Sequence, residues 1–332
     1  MKKFLSTILA VVMVLSSMAM VVSANDVDYA EGYYYVNGVQ YTDFMAAVSA
    51  ANGGTVIVSG ECAFSSRLAV NSSVTLQGVN DATIVPSASY GSTNSTTNWK
   101  GLLNIAGENV VVNDITFDGS LYGDNQAITV DFKPVRVTSG TTTFNNVTIT
   151  GSKRTLLMIG TSSSSATVNA NNLTIEADAK TVTSAHTYAD VEVTNASTLN
   201  YNSGVVNGYV LCENGTTKTI SVAGLYGFVY SDDMIYTTPE HLAENYLNGN
   251  VSALAVKNYA SVLTSDANKA TATGMVNDIV TANDTALAAT FVTMIDDMVS
   301  KTIPFLGSML TSDEKAVLNG YKATLSTILV TE

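Results

Sequence analysis

The chain has 332 residues, of which 46% are hydrophobic and 13% are charged. This balance excludes an intrinsically disordered chain and allows a sizeable buried core. The chain has 15 basic and 28 acidic residues, so its net charge is −13. A surface this acidic disfavours nucleic acid and anionic membranes as partners.

The first 24 residues have the features of a cleaved signal peptide. Lys2 and Lys3 precede an apolar run (residues 8–18), and Val22-Ser23-Ala24 forms a cleavage site of the A-x-A kind. A membrane anchor is the alternative, but polar residues interrupt the run and leave it marginal for ~30 Å of hydrocarbon. We therefore expect cleavage after Ala24, export, and a mature chain without a membrane span. Losing the two lysines lowers the expected net charge from −13 to −15.

Residues 25–53 are predicted to form a lead-in and a capping helix. Phe44 and Val48 recur at helical spacing, Thr42 is available as the N-cap, and Gly53-Gly54 follows as a stop. A helix laid over the first strand would cover the open end of a stack of strands, which is otherwise an unpaired edge.

A repeated phrase of strand, turn and strand characterises residues 54–236. It reads Val110-Val111-Val112-Asn113-Asp114-Ile115-Thr116-Phe117-Asp118-Gly119 and returns at 142–151 and 168–175. A phrase that returns along the chain in this way is typical of a solenoid. The predicted fold class is therefore mostly β, with parallel coils stacked on one another. Alternation within each strand predicts which residues of the three copies point inward. They are Val110, Val112, Ile115, Phe117, Thr142, Phe144, Val147, Ile149, Val168, Ala170, Leu173 and Ile175.

Two consecutive Asx residues separate the strands in each copy: Asn113-Asp114, Asn145-Asn146 and Asn171-Asn172. Asparagine tolerates the left-handed backbone that a tight turn needs, and stacked amides can hydrogen-bond in a ladder. These residues therefore have a structural explanation. The later segment 191–199 fits the phrase one residue out of phase, and 219–225 is predicted to be the last coil.

The periodicity changes at Thr238-Pro239, where a proline at a first helical position follows a threonine cap. From there residues 237–332 are predicted to form a bundle of four or five helices. The clearest helices are expected at 285–300 and 312–329, where apolar residues recur in one stripe.

The chain has two cysteines, Cys62 and Cys212. A disulfide is the first expectation in an exported protein. However, the residues fall in the first and last coils, on the order of 20 Å apart at ~4.8 Å per coil, whereas a disulfide needs Cα atoms within ~7 Å. We predict two buried free thiols.

The coil phrases resemble the right-handed parallel β-helix of the pectin-lyase-like superfamily. They are most similar to the pectate-lyase-like repeat regions of secreted and surface proteins of Gram-positive bacteria. Ser73-Val74-Thr75-Leu76-Gln77-Gly78 and Asp114-Ile115-Thr116-Phe117-Asp118-Gly119 carry most of the resemblance, which covers residues 40–230. It implies a right-handed solenoid and, in catalytic members, polysaccharide lyase or hydrolase activity. Lyases of this fold use acidic clusters for Ca²⁺ with an Arg or Lys base, and hydrolases use clustered Asp pairs.

Neither catalytic set stands in the coils, which contain no Asp-Asp pair and no His-Gly or Arg-x-Lys pattern. The strongest polar cluster is Asp131, Lys133 and Arg136, with Lys153 and Arg154 one coil further on. Asp131 and Lys133 are predicted to alternate outward, giving a groove for an anionic glycan. The alternative is a solvated face with local ion pairs.

Two further sets of residues are candidates for binding. Asp118 and Asp124 flank a turn and are candidate Ca²⁺ ligands, but Ca²⁺ takes six or more oxygens and no metal site is predicted. The insertion 86–100 carries Tyr90 and Trp99, whose planar rings suit stacking on a sugar; alternatively, Trp99 folds back on the coil.

The sequence thus favours a secreted protein, associated with the cell surface or matrix, that does no catalysis and binds a polysaccharide or a cell-surface protein in the manner of an adhesin. One alternative is a divergent polysaccharide lyase or hydrolase acting on an anionic glycan. The other is a structural spacer.

Overall fold

The computed structural model describes residues 28–90, 101–120, 132–152, 155–176, 189–207, 210–213, 215–222, 224–230, 233–248, 253–303 and 307–329. The chain is mostly strand, the strands lie in parallel sheets, and a helical region follows them. At this level the predicted fold class is confirmed. The proposed signal peptide lies outside the described residues.

An N-terminal hairpin and one helix precede the parallel strands. Strands β1 (Tyr33–Val36) and β2 (Val39–Tyr41) pair antiparallel, and β1 also pairs antiparallel with the first long strand. Helix α1 (Phe44–Ala51) begins after Asp43, whose carboxylate accepts the Ala46 N–H at 2.7 Å. The predicted cap, Thr42, was one residue early. The hairpin, together with the helix, covers this end of the sheet.

The first sheet has eleven strands, of which all but the hairpin pair in parallel. Its further members are β3 (Thr55–Phe64), β5 (Val74–Pro86), β7 (Asn109–Asn113), β8 (Thr116–Asp118), β10 (Gly140–Thr150), β12 (Ala166–Glu176), β14 (Thr198–Tyr201), β15 (Gly204–Asn207) and β17 (Thr217–Ile220). The repeated phrases align residue for residue, so Val112, Phe144 and Ala170 are neighbours in register.

The second sheet has eight strands. Its parallel members are β4 (Leu68–Val70), β6 (Leu103–Ile105), β9 (Val135–Val137), β11 (Leu157–Ile159), β13 (Val191–Val193) and β16 (Val210–Cys212). Two antiparallel strands complete it, β18 (Tyr226–Tyr230) and β19 (Asp233–Thr237). Along β3 to β17 the chain passes repeatedly from one sheet to the other. The antiparallel hairpin of β18 and β19 at the end of the second sheet was not predicted.

The predicted inward residues are confirmed, because each of the twelve residues named above is at most 1% exposed. Except for the polar Thr142, they share one apolar core with the second sheet, which contributes Ile105, Val137 and Ile159. Fully burying such a side chain stabilises a fold by about 1.5–3 kcal/mol. The strand stack is therefore held together chiefly by this continuous core.

The segment 191–199 was out of phase because it belongs to two sheets. Strand β13 lies in the second sheet and β14 in the first, and a turn with positive φ at Asn195 (48°) and Ala196 (55°) joins them. The predicted last coil at 219–225 corresponds to β17, which begins two residues earlier.

Five helices follow within the described residues. They are α2 (Pro239–Asn248), α3 (Ala253–Thr264), α4 (Lys269–Thr281), α5 (Thr285–Ser300) and α6 (Ser312–Ser326), with a short hairpin of β20 (Thr302–Ile303) and β21 (Gly307–Ser308) before the last helix. The predicted starts at Pro239, Thr285 and Ser312 are confirmed, while α6 ends three residues before the predicted Leu329. A second core unites these helices with Leu211 and Phe228 of the second sheet. Among the helices described, none has the length and apolar character needed to cross a membrane.

Both cysteines are buried free thiols, as predicted. Burial raises the pKa of Cys62, and it raises the pKa of Cys212 to about 11. We expect a thiol-specific disulfide reagent at pH 8 to leave the native protein unlabelled over minutes, because only about one Cys212 in a thousand is then a thiolate. In denaturant two thiols per chain should react. Fast labelling of the native protein, or none after denaturation, would contradict this assignment.

Candidate functional site

The outer side of the first sheet is a regular array of short polar side chains before each Asx turn. We call it the polar face. Its members are Thr75, Gln77, Val111, Asn113, Thr141, Thr143, Asn145, Thr167, Asn169, Asn171, Thr198, Asn200 and Asn202. All but Val111 carry a hydroxyl or an amide, none is charged, and they alternate with the fully buried core residues. Neighbouring strands are ~4.8 Å apart and alternate residues along a strand are about 6.6 Å apart.

One edge of the polar face is the predicted amide ladder. The Nδ2 atom of Asn113 donates to Oε1 of Gln77 at 3.0 Å, and Asn145 donates to Asn113 at 2.8 Å. Asn171 and Asn202 continue the ladder at 2.9 Å each. Each asparagine of the ladder donates toward the N-terminal end, while Gln77 donates to Asp114 Oδ2 at 2.8 Å, so the side chains are held in one orientation. Each such bond adds about 0.5–1.5 kcal/mol net.

The second Asx residue of each pair forms the corner itself. Asp114, Asn146 and Asn172 have φ of 56°, 53° and 54°, the left-handed region that was predicted for them. Their side chains also stack: Asn146 donates to Asp114 at 2.7 Å, and Asn172 donates to Asn146 at 2.9 Å. The corner is thus a second ladder, which fixes the boundary of the polar face.

The predicted cationic cluster is described in part. Asp131, Lys153 and Arg154 lie outside the described residues. The expectation that Lys133 faces solvent is wrong, because its side chain is only 9% exposed. The reason is that residues 132–135 are buried consecutively and strand alternation begins only with β9.

Arg136 lies half-buried on the outer side of β9. Its register neighbours there are Asn104 of β6 and Met158 of β11. Lys133 and Arg136 therefore do not form one exposed cationic groove in the part of the chain that is described. Because the other three members lie outside the described residues, the groove for an anionic glycan stays a prediction.

The predicted sugar-stacking pair is likewise changed. Tyr90 is 8% exposed, its hydroxyl donates to the Gly101 carbonyl at 2.6 Å, and the Gly101 N–H donates back at 3.1 Å. Its ring meets Phe132 edge-on with centroids 6.1 Å apart. A buried tyrosine needs such a partner for its hydroxyl, so Tyr90 anchors the insertion and is closed to a sugar ring. Trp99 lies outside the described residues.

The candidate calcium ligands do not form a site in the described structure. Asp118 Oδ1 accepts the backbone N–H of Ser120 at 2.8 Å and also its hydroxyl, so the carboxylate holds its own turn. Asp124 lies outside the described residues. In the described ranges, no three His, Cys, Asp or Glu side chains are grouped to hold a metal ion.

A histidine and a carboxylate, the pair that general-base catalysis often uses, do meet in this protein. His241 Nε2 of α2 lies 3.7 Å from Asp190 Oδ2, just before β13. Both side chains are 0% exposed, so no substrate reaches them. The pair instead joins the helices to the second sheet. The sequence could not pair these residues, since fifty positions separate them.

No family model matches the chain, and neither a curated protein nor a solved structure matches it. The polar face is a regular surface that extends over several strands of the described structure. It is therefore the starting point for function.

Proposed function

We propose that this chain is an exported, non-catalytic protein that binds a neutral glycan through the polar face. The uncharged, repeating hydroxyl and amide groups of that face carry the proposal. A polysaccharide presents hydroxyl groups at regular intervals, and a fixed lattice of donors and acceptors can bind several of them at once. The amide ladder already holds these donors and acceptors in fixed positions, so less conformational entropy is lost when a glycan binds.

The scaffold we propose is a right-handed parallel β-helix over residues 54–236. In support, the chain alternates between two parallel sheets, and each phrase stacks in register on the one before it. Parallel strands joined by a crossover are right-handed in nearly all proteins. Such a stack presents one side chain per coil at a constant spacing, which suits a polymeric ligand.

Export is part of the proposal and depends on removal of residues 1–24. The secreted protein would then stay at the cell surface or matrix by holding glycan. A neutral ligand is favoured over an anionic one because the polar face has no cation and the chain has a net charge of −13. An anionic polymer would be repelled by this charge.

The test is affinity electrophoresis of the native protein in gels cast with neutral or anionic polysaccharides. We expect retardation in a neutral gel such as β-glucan or galactomannan. The variant Thr141→Val/Thr143→Val/Thr167→Val removes three hydroxyls from the polar face and should weaken binding by about tenfold or more, at roughly 0.5–1.5 kcal/mol per bond. Valine keeps the β-branched shape, and Val111 already occupies the face.

The matched control is Thr116→Val/Thr148→Val/Thr174→Val, the same change on the same sheet beyond the Asx corner. This control should migrate like the unmodified protein. Equal retardation of both variants would refute the polar face as the binding surface. New unsaturated or reducing ends in the gel would establish the lyase or hydrolase alternative. Unhindered migration in every gel would leave the structural spacer as the remaining hypothesis.

A further inference from the structure

A cleft of about 580 Å³ lies where the strand stack meets the helices. Its walls come from β15, the start of β18, α2, and the junction between α4 and α5. This volume is in the range of pockets that hold small organic molecules, about 300–1,000 Å³. The cleft is separate from the polar face and differs from it in chemistry.

Part of the lining of the cleft is apolar. It includes Val205 of β15, Ile279 of α4 and Leu287 of α5. The side chain of Val205 is 57% exposed, more than any other large hydrophobic residue described. An exposed apolar surface inside a concave site favours a ligand with an apolar body.

Four carboxylates belong to the same lining. Glu240 and Glu244 lie four residues apart, on one face of α2, and Asp278 and Asp284 come from the other wall. Among the described residues that line the cleft, none is a lysine, arginine or histidine. The described lining therefore offers no cation to compensate these like charges, and a bound cation would lower their mutual repulsion.

Hydrogen bonds hold the second wall in place. Asp284 caps α5 by accepting the Leu287 N–H at 2.9 Å, and Asp278 accepts the hydroxyl of Tyr226. Burial, followed by the bond to Asp278, raises the pKa of Tyr226, so its ring stays neutral. A carboxylate has about four acceptor positions, so both aspartates can accept more donors. The Tyr226 ring adds a π face, which attracts cations.

We propose that this cleft binds an organic cation, a primary ammonium on an apolar stem. The stem lies on Val205 and Leu287, and the ammonium lies among the carboxylates of Glu240, Glu244 and Asp278. A free alkylamine and the lysine side chain of a partner share this chemistry. The inference goes beyond glycan binding and does not depend on it.

The test is a methyl NMR titration of the full protein with matched probes. Hexylamine should shift the methyl signals of Val205 and Leu287 in a saturable way. 1-Hexanol has the same apolar body without the charge and should bind about tenfold more weakly, and ammonium chloride lacks the stem and should not shift these signals. The peptide acetyl-Leu-Lys-Leu-amide tests the second source. Tighter binding of the peptide would identify a partner lysine, and tighter binding of hexylamine a free amine.

Two variants locate the site. Glu240→Gln/Glu244→Gln should weaken hexylamine binding by about tenfold, while Asp266→Asn/Asp313→Asn, the same charge change outside the cleft, should leave it within about twofold. Val205→Thr keeps the shape and should weaken binding without changing its salt dependence. Equal affinity for 1-hexanol and hexylamine, or equal loss in the two double variants, would overturn the proposal.

Discussion

Replacing Phe144 with alanine is expected to lower the free energy of unfolding by about 3–5 kcal/mol. Phe144 is 0% exposed at the centre of β10, between Val112 and Ala170 of the neighbouring strands. The neighbours are fixed by hydrogen bonds on both sides and cannot collapse into the space. The variant should therefore keep a large cavity, and urea denaturation followed by circular dichroism would measure the loss.

The adjacent residue provides the control. Thr143 points outward on the polar face, so Thr143→Ala should change the stability by less than about 1 kcal/mol. If Phe144→Ala does not fold, Phe144→Leu retains most of the volume and should still be less stable than the control. If Thr143→Ala lowered the free energy of unfolding as much as Phe144→Ala, the inward and outward alternation on which the polar face depends would be contradicted.

Local patterns accounted for most of the strand region. The twelve inward residues follow from period-2 alternation, and Asn113, Asn145 and Asn171 follow from the turn chemistry of paired Asx residues. Both signals lie within a few residues along the chain and repeat, so each copy supports the others. The helix starts at Pro239 and Thr285 were predictable for the same reason.

The errors arose where several distant segments decide one residue's environment. Lys133 was expected to alternate outward, but the segment before β9 packs inward as a whole. Tyr90 was assigned to a long polar loop as a ring for sugar stacking, yet it packs against Gly101 and Phe132. The cleft combines Val205, Glu240 and Leu287 from separate elements, and no local pattern marks such a site.

The second large effect is expected at the buried contact between His241 and Asp190. Their side chains are 0% exposed and 3.7 Å apart, with Asp190 before β13 and His241 on α2. The backbone of Asp190 is fixed independently, because its carbonyl accepts the N–H groups of Leu156 at 2.8 Å and Leu157 at 3.0 Å. Helix α2 is thus tied to a rigid point of the strand stack.

Changing one member leaves the other fully buried and without this contact. His241→Leu and Asp190→Leu should each lower the free energy of unfolding by about 3 kcal/mol or more. The double variant places two apolar residues together and should be less destabilised than the two single changes added, since well-packed hydrophobic replacements of buried pairs are often neutral. Urea unfolding of all four proteins gives the coupling energy directly.

This cycle also tests whether helices and strands unfold together. The second core includes Leu211 and Phe228 of the sheet, so we expect one transition for the unmodified protein. Loss of the contact should lower the stability of the helices more than that of the strand stack and separate their transitions. Additive single changes, with an undivided transition in every variant, would mean that His241 and Asp190 do not couple the two parts. Some other contact would then have to hold the helices against the strand stack at the cleft.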